Sequence, residues 1–309
     1  MEAALTAPTA AAPLDRALPA WVDRGLYPFS PRRFDTPDGA IRYLDEGSGP
    51  AILLVHGTPS WSFEWRAQVA DLARTHRVIA PDHLGFGLSD KPARADLLRP
   101  ADHARRLLAL VDALDLRDLT LVVHDFGGPI GLPVALDRPA RVRAVLAVNT
   151  WAWAHGHDPK IGRMSRLVAS RFGRWLYLAL NASPRFIVPM AFGRRERLTA
   201  RVHAHYLGPF AARADRLATW VCGVELAASD PYYESLWARR EALRGKLSLA
   251  WGTADPAFDG RYLARWRAAF PEAPVDAIEG AGHFPQEEEP ARVTEAIRAA
   301  ARRETGRGG

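Results

Sequence analysis

One string constrains the chain more than any other: Leu119-Thr120-Leu121-Val122-Val123-His124-Asp125-Phe126-Gly127-Gly128. Leu119 to Val123 are apolar or β-branched and read as a buried strand, and Gly127-Gly128-Pro129 opens a run from Ile130 to Leu136 that reads as a helix. A strand that stops so close to the start of a helix needs a tight turn. Glycine has to stand beside that turn, because a Cβ there would meet the strand or the helix. Asp125 then sits at an elbow, its side chain held above the sheet.

A carboxylate is already ionised at neutral pH, so it needs no base to become a nucleophile. It can displace a leaving group from sp³ carbon and remain as an alkyl ester, which suits carbon–halogen bonds and epoxides. The string alone also fits a plainer reading, in which Asp125 is the N-cap of the following helix.

The rest of the chain supplies a frame for the elbow. Phe34 to Leu44 reads as a hairpin with Asp38-Gly39 at its turn. Ala51 to Val55 is too uniformly apolar for a half-exposed strand and reads as a central one, ending in His56-Gly57-Thr58-Pro59. Arg77 to Ala80 is a further strand, closing at the loop from Pro81 to Pro92. Gly85 and Gly87 there have dinucleotide-like spacing, but the third glycine and the helix are missing, so no nucleotide cofactor is expected. Leu107, Leu108, Val111 and Leu114 recur at helical spacing within Pro100 to Leu114. Strands are expected at Val142 to Val148, Lys246 to Trp251 and Pro274 to Ile278. The alternation predicts an α/β fold, a mostly parallel sheet flanked by helices.

Between Asn149 and about Arg244 the alternation stops, and helical stretches such as Met164 to Ala182 and Leu198 to Tyr206 take over. The expected organisation is a disordered tail over 1–16, a core from 17–150 and 245–309, and an inserted helical cap over 151–244. The tail lacks a basic start and a long apolar centre, so it does not read as a signal peptide.

With 309 residues, 48 % hydrophobic and 25 % charged, the composition is that of an ordinary globular protein with ample length for a core. No apolar run approaches the roughly 18 residues of a membrane span, so no membrane partner is expected. The single cysteine, Cys222, excludes an internal disulfide, fits a cytoplasmic location, and lies far from any motif in the chain. The formal charge of +6 comes from arginines dispersed along the whole sequence, with only Lys91, Lys160 and Lys246 as lysines. No nucleic-acid motif accompanies them, so no nucleic-acid partner is expected. No cluster has metal-ligand spacing, and no metal is expected.

Two further segments follow strands at their presumed carboxyl ends, where ligands bind in open α/β sheets. Trp251-Gly252-Thr253-Ala254-Asp255 carries an acid and Gly280-Ala281-Gly282-His283-Phe284 a histidine. The order nucleophile, acid, histidine is that of the α/β-hydrolase fold. His56 to Phe63, the Asp82-to-Pro92 loop, Val122 to Gly128, Gly282-His283-Phe284 and Tyr206-Leu207-Gly208-Pro209-Phe210 together resemble the haloalkane dehalogenase family, from about Tyr27 to about Ala300. The resemblance implies Asp125 as nucleophile, His283 as base and Asp255 as its partner. It also implies backbone N–H groups of Thr58 and Phe126 as oxyanion donors, and a small apolar organic substrate.

Two positions depart from the family pattern. Members usually hold the halide with a Trp directly after the nucleophile, and many add an Asn after the His-Gly pair; this chain has Phe126 and Thr58. Trp61, Trp151 and Trp153 are the candidate replacements. His124 is expected to point away from the elbow, His56 to be scaffold, Asp82 and Asp90 to brace their loop, and Asp259 to cap a helix although it could replace Asp255. The rival activities are an epoxide hydrolase, which needs tyrosine hydroxyls from Tyr177, Tyr206, Tyr232 or Tyr233, a β-lactone-cleaving relative of the dehalogenases, and a catalytically silent binding fold.

Overall fold

The computed structural model describes residues 18–156 and 158–303; the 1–16 segment expected to be a disordered tail lies outside them. The first half runs β1 (Arg32–Thr36), β2 (Gly39–Glu46), β3 (Ala51–Val55), α1 (Arg66–Leu72), β4 (Arg77–Pro81), α2 (Pro100–Ala113), β5 (Leu119–Asp125), α3 (Gly127–Asp137) and β6 (Val142–Thr150). Six helices follow with no strand among the described residues: α4 (Pro159–Ala169), α5 (Arg171–Leu180), α6 (Val188–Ala191), α7 (Ala200–Leu207), α8 (Leu217–Ala228) and α9 (Asp230–Ala238). The sheet resumes with β7 (Leu247–Gly252), α10 (Gly260–Ala269), β8 (Val275–Ile278), α11 (Pro285–Glu288) and α12 (Pro290–Arg302).

The strands form one sheet in the order β1-β2-β4-β3-β5-β6-β7-β8. β2 pairs antiparallel with β1 and β4, and every other pair is parallel. From β3 the chain steps to one side, into β4, and from β5 to the other, into β6. The carboxyl ends of β3 and β5 therefore border the switch point of an open α/β sheet, where a crevice forms. Gly57-Thr58 leaves one of these ends and Asp125 stands on the other.

The strand residues alternate between two cores, as the pleat requires. Leu121, Val123, Leu53, Val55, Val145 and Leu249 face the layer of α2, α3 and α10, and Val122, Leu54, Leu146 and Ala250 face α1 and α12. Every residue of β3 and β5 is buried, which explains their uniform apolar sequence. The parity also places His124 on the α1/α12 side and Asp125 on the other.

Two expectations shift in detail. In the hairpin Thr36 pairs with Gly39, so Pro37-Asp38 forms the turn and Gly39, at φ +135°, opens β2 instead of completing the bend. The helix expected over Met164 to Ala182 is two helices, α4 and α5. Ser170, in extended backbone, ends α4, and its hydroxyl accepts from the Gly173 N–H to start α5. Asn181, at φ +55°, ends α5.

One buried ion pair ties these elements together. Arg66, at the start of α1, donates to Glu287 through two nitrogens, at 2.5 and 2.7 Å, and the Tyr206 hydroxyl of α7 donates to the same carboxylate at 2.7 Å. Removing one partner of a buried pair leaves an uncompensated charge. Arg66→Met should therefore lower stability by about 3–5 kcal/mol, read as a lower urea midpoint with unchanged slope, and Arg66→Met/Glu287→Gln should recover part of the loss.

Candidate active site

Asp125 takes φ +52°, a left-handed conformation that few non-glycine residues hold and that costs roughly 1–3 kcal/mol. Contacts on both sides hold it there. The Thr150 hydroxyl donates to the Asp125 carbonyl at 2.5 Å, and the Thr58 N–H donates to Asp125 Oδ1 at 2.7 Å. A Cβ at Gly57 would fall on the Asp125 carboxylate, and one at Gly127 on the Val55 carbonyl. Phe126, not Asp125, precedes α3, and no side chain caps that helix. The N-cap reading of Asp125 is thereby replaced by the elbow.

With Oδ1 fixed by Thr58, Oδ2 faces His283, whose Nε2 is 3.4 Å away. On the other side of the ring, Nδ1 lies 2.8 Å from Asp255 Oδ2. The three residues come from the ends of β5, the loop after β7 and the loop after β8, and all are buried. Asp259, by contrast, caps α10 by accepting from the Arg261 N–H at 3.0 Å.

Burial alone pulls an imidazole pKa down. Here the Asp255 charge, the hydrogen bonds to Asp125 and Asp255, and the Asp125 charge outweigh burial and push His283 up to about 10. Burial raises the Asp255 carboxyl, but the His283 charge and hydrogen bonds from His283, Asn149 and the Ala257 N–H together hold it below its ordinary value.

Asn149 carries no motif in the sequence, yet it has a specific place in the site. Its amide donates to Asp255 Oδ2 at 2.7 Å while its carbonyl oxygen accepts from the Gly252 N–H at 2.8 Å, joining the end of β6 to β7. An isolated Asn at a strand end carries no spacing signal that would reveal this. His124 points away from the cavity, as its parity requires, yet it braces the site. Its Nε2 donates to the His283 carbonyl at 2.7 Å, and its Nδ1 lies 3.2 Å from buried Glu64.

The loop residues are scaffold. His56 accepts from the His83 N–H at 2.9 Å, Asp82 accepts from the N–H groups of Ser62 and Leu88, and Asp90 accepts from the Ala40 N–H. Cys222 is not remote: the fold of α8 sets its thiol beside the Thr58 hydroxyl, and burial pushes its pKa up, with the Asp125 charge adding to the effect. The Thr58 hydroxyl itself is buried without a conventional hydrogen bond among the described residues.

A cavity of about 380 Å³ opens over Asp125 and His283. Its wall near the carboxylate comprises Thr58, Phe126, Leu226, Phe258 and Phe284, and its outer part includes Met164, Ile187 and Met190. The three tryptophans are not on this wall. The Trp61 indole donates to the His205 carbonyl at 2.8 Å, so it is spent elsewhere. Trp153 lines a separate, larger cavity of about 690 Å³ next door. Trp151 packs edge-on against Phe126 at 4.8 Å, with its indole N–H buried and unpartnered among the described residues. The four tyrosines named for epoxide opening do not line the cavity either. Tyr206, Tyr232 and Tyr233 donate to Glu287, Pro129 and Glu225, and the tyrosine that does reach the cavity is Tyr262 of α10.

A profile of the α/β-hydrolase fold family matches residues 50–290. Haloalkane dehalogenase 2 of Mycobacterium tuberculosis is 36 % identical over 278 residues, covering 89 % of this chain and 96 % of the relative. A cis-3-alkyl-4-alkyloxetan-2-one decarboxylase of Xanthomonas campestris pv. campestris is 33 % identical over 291 residues, covering 88 % and 96 %. Among solved structures, the haloalkane dehalogenase DbeA from Bradyrhizobium elkani superposes with a TM-score of 0.76 at 25 % identity, over 88 % of this chain and 99 % of that one. DpaA from Paraglaciecola agarilytica gives 0.76 at 23 % identity, over 90 % and 96 %, and shares the fold.

The raised His283 value fixes a sign. A group whose folded pKa lies above its ordinary 6.5 stabilises the fold fully below about 6.5, and that contribution is lost as pH rises through about 10. Asp125→Asn removes one of the charges that hold the proton. The His283 resonances, followed by NMR titration, should then shift their midpoint downward from about 10 toward 6.5.

Proposed function

The chain belongs to the α/β-hydrolase fold family, in its haloalkane dehalogenase group, and from that premise we propose that it hydrolyses carbon–halogen bonds through a covalent ester on Asp125. The observation that carries this reading is the division of the Asp125 carboxylate. Oδ1 is held by the Thr58 N–H while Oδ2 faces His283 and the cavity. Oδ2 is the free nucleophile. It forms a C–O bond to the substrate carbon as the carbon–halogen bond breaks and halide departs with the electron pair.

Esterification removes the Asp125 charge, and with it part of what holds the His283 proton. The imidazole then falls toward the range in which it serves as a base. Water attacks the ester carbonyl carbon, its proton passes to His283, and Asp255 stabilises the imidazolium. Negative charge develops on Oδ1, where the Thr58 N–H is already in place, with the Phe126 N–H as the second donor. His283 returns the proton to the leaving alkoxide, giving an alcohol and the free carboxylate. In this reading the helical segment between β6 and β7 acts as a cap that shields the displacement step from bulk water while admitting the one water that hydrolyses the ester.

The apolar cavity suits a small haloalkane, but no indole N–H on its wall is aimed at a departing halide. A hydrogen bond to a charged group contributes roughly 1.5–3 kcal/mol, so losing one slows departure about ten- to a hundredfold. The same observation favours a second reading, cleavage of a β-lactone. Ring strain assists the departure of its carboxylate and no halide site is needed, and a relative named for an oxetan-2-one is 33 % identical. Of the tyrosines named for the epoxide reading, Tyr206, Tyr232 and Tyr233 donate to partners away from the cavity, which leaves Tyr262 on its wall as that reading's candidate proton donor.

Turnover in ¹⁸O-water should place label in the Asp125 carboxylate, and His283→Gln should accumulate protein heavier by one alkyl group. An unlabelled Asp125 peptide after many turnovers would exclude the covalent route.

Matched 1-chloro-, 1-bromo- and 1-iodoalkanes should separate the two substrate readings. Bromide and iodide leave with less hydrogen-bond assistance, so they should outperform chloride, and Phe126→Trp should raise chloride turnover by up to about tenfold if the ring fits. Halide release is measured beside a β-lactone and an epoxide. No halide from any member alongside rapid lactone loss would transfer the assignment to the second reading.

A further inference from the structure

The stretch from Pro159 to Ala191 contains Lys160, Arg163, Arg166, Arg171, Arg174 and Arg185 and no acidic residue. All six basic side chains are exposed, and none forms an ion pair with another described residue. Arginines that look dispersed in the sequence are thus gathered by α4, α5 and the π-turn at Ser183–Ile187 into one basic segment. The nearest flanking acids are Asp158, which caps α4 and lies 3.7 Å from Arg261, and Glu196.

The same elements expose their large apolar side chains. Met164, Ile187 and Met190 rim the cavity over Asp125, and Leu167, Phe172, Trp175 and Phe186 extend beyond it, each 43–66 % exposed. Basic and apolar residues alternate as neighbours: Arg163-Met164, Arg166-Leu167, Arg171-Phe172, Arg174-Trp175 and Arg185-Phe186. The Phe172 and Trp175 rings stack at 5.9 Å, and the Arg185 guanidinium lies 5.7 Å from the Phe186 ring. On α4 the exposed Arg163, Met164, Arg166 and Leu167 lie opposite the buried Ile161, Ser165 and Val168. Water-exposed apolar surface on this scale marks an interaction site.

We propose that this face docks on an anionic lipid bilayer, with the cavity mouth turned toward it. The sequence analysis expects no membrane partner, and no described helix is long and apolar enough to cross a bilayer. Lying on a surface requires something different: apolar side chains at acyl depth, with long cationic ones reaching back to the phosphates. The exposed Trp and Phe suit the interface, and basic charge of one sign complements anionic headgroups. A second copy placed symmetrically on this face would set like charges against like, which disfavours self-association there. Three of the apolar side chains also line the cavity, so an apolar substrate dissolved in the bilayer has a path inward without crossing water. Docking does not depend on the chemistry at Asp125, and the test for it reads no turnover.

The full chain is sedimented with large unilamellar vesicles, one set of phosphatidylcholine alone and one with about one-third phosphatidylglycerol. Binding should be at least about tenfold stronger to the anionic vesicles and should fall as salt is raised. Arg166→Glu/Arg171→Glu should weaken it by about tenfold or more. Leu167→Ser/Phe172→Ser/Trp175→Ser should weaken it as well, with the melting temperature unchanged. Absence of binding to either vesicle, or binding that survives both variants, would overturn the proposal. So would loss with the charge variant alone, which would mean adsorption without insertion, or a dimer that both variants dissolve while vesicles leave the wild type in solution.

Discussion

Two carboxylates and an imidazole are buried together at the carboxyl edge of the sheet, and their mutual compensation governs what surrounds them. Any one alone would be driven toward its neutral form by burial. Together they hold a proton on His283 well above its ordinary range and keep Asp255 ionised. Each partner then needs its remaining positions satisfied. The Asn149 amide shares Oδ2 of Asp255 with His283, the Ala257 N–H takes its Oδ1, and the Thr58 N–H takes Oδ1 of Asp125. The oxygen left over is the one facing the cavity, so its exposure is a residue of the hydrogen-bond accounting around it.

This compensation works only if the chain brings β3, β5 and the late loops within hydrogen-bond distance, which accounts for where glycine is unavoidable. Gly57 and Gly127 allow the turn after β3 and the start of α3 to approach Asp125 at distances that exclude a Cβ. The backbone strain at Asp125 is offset by the Thr150 hydroxyl and by packing of β5 between two apolar layers. Behind the cavity, His124 and Glu64 form a second buried polar pair that positions the His283 carbonyl. The β5 parity puts Asp125 on one side of the sheet and His124 on the other.

The features legible in the sequence are those written in local pattern. Uniform apolar runs gave β3 and β5, the strand-Asp-Gly-Gly-helix string gave the elbow, and positions after late strands gave Asp255 and His283. What stayed hidden depends on tertiary packing. Asn149 has no motif, and its function is visible only once β6 and β7 lie side by side. Cys222 is distant along the chain but reaches Thr58 because α8 folds over the sheet. A tryptophan's identity says nothing about where its N–H points, and His205 claims that of Trp61. The exposure of the α4 arginines beside Met164 and Leu167 follows from the burial of Ile161, Ser165 and Val168 on the same helix, which composition does not reveal.

The two halves of the proposed reaction draw on different kinds of groups. Ester hydrolysis relies on His283, Asp255 and main-chain N–H donors, and a main-chain donor does not change when a side chain does. Leaving-group departure relies on side chains around Oδ2, and those are the positions where Phe126 and Thr58 depart from the dehalogenase pattern. The hydrolytic half is therefore insensitive to the very substitutions that reset which bond is broken. In the proposed reaction one carboxylate elbow could serve a halide or a strained lactone alike, because the same ester would form from either and the difference lies in what stabilises the group that leaves. Among the described residues, the Thr58 hydroxyl, with only the Cys222 thiol beside it, and the Trp151 indole behind Phe126 are polar groups near that point without a conventional hydrogen bond. The Phe126 ring separates Trp151 from the cavity, so in the proposed reaction position 126 governs whether an indole N–H reaches the leaving group.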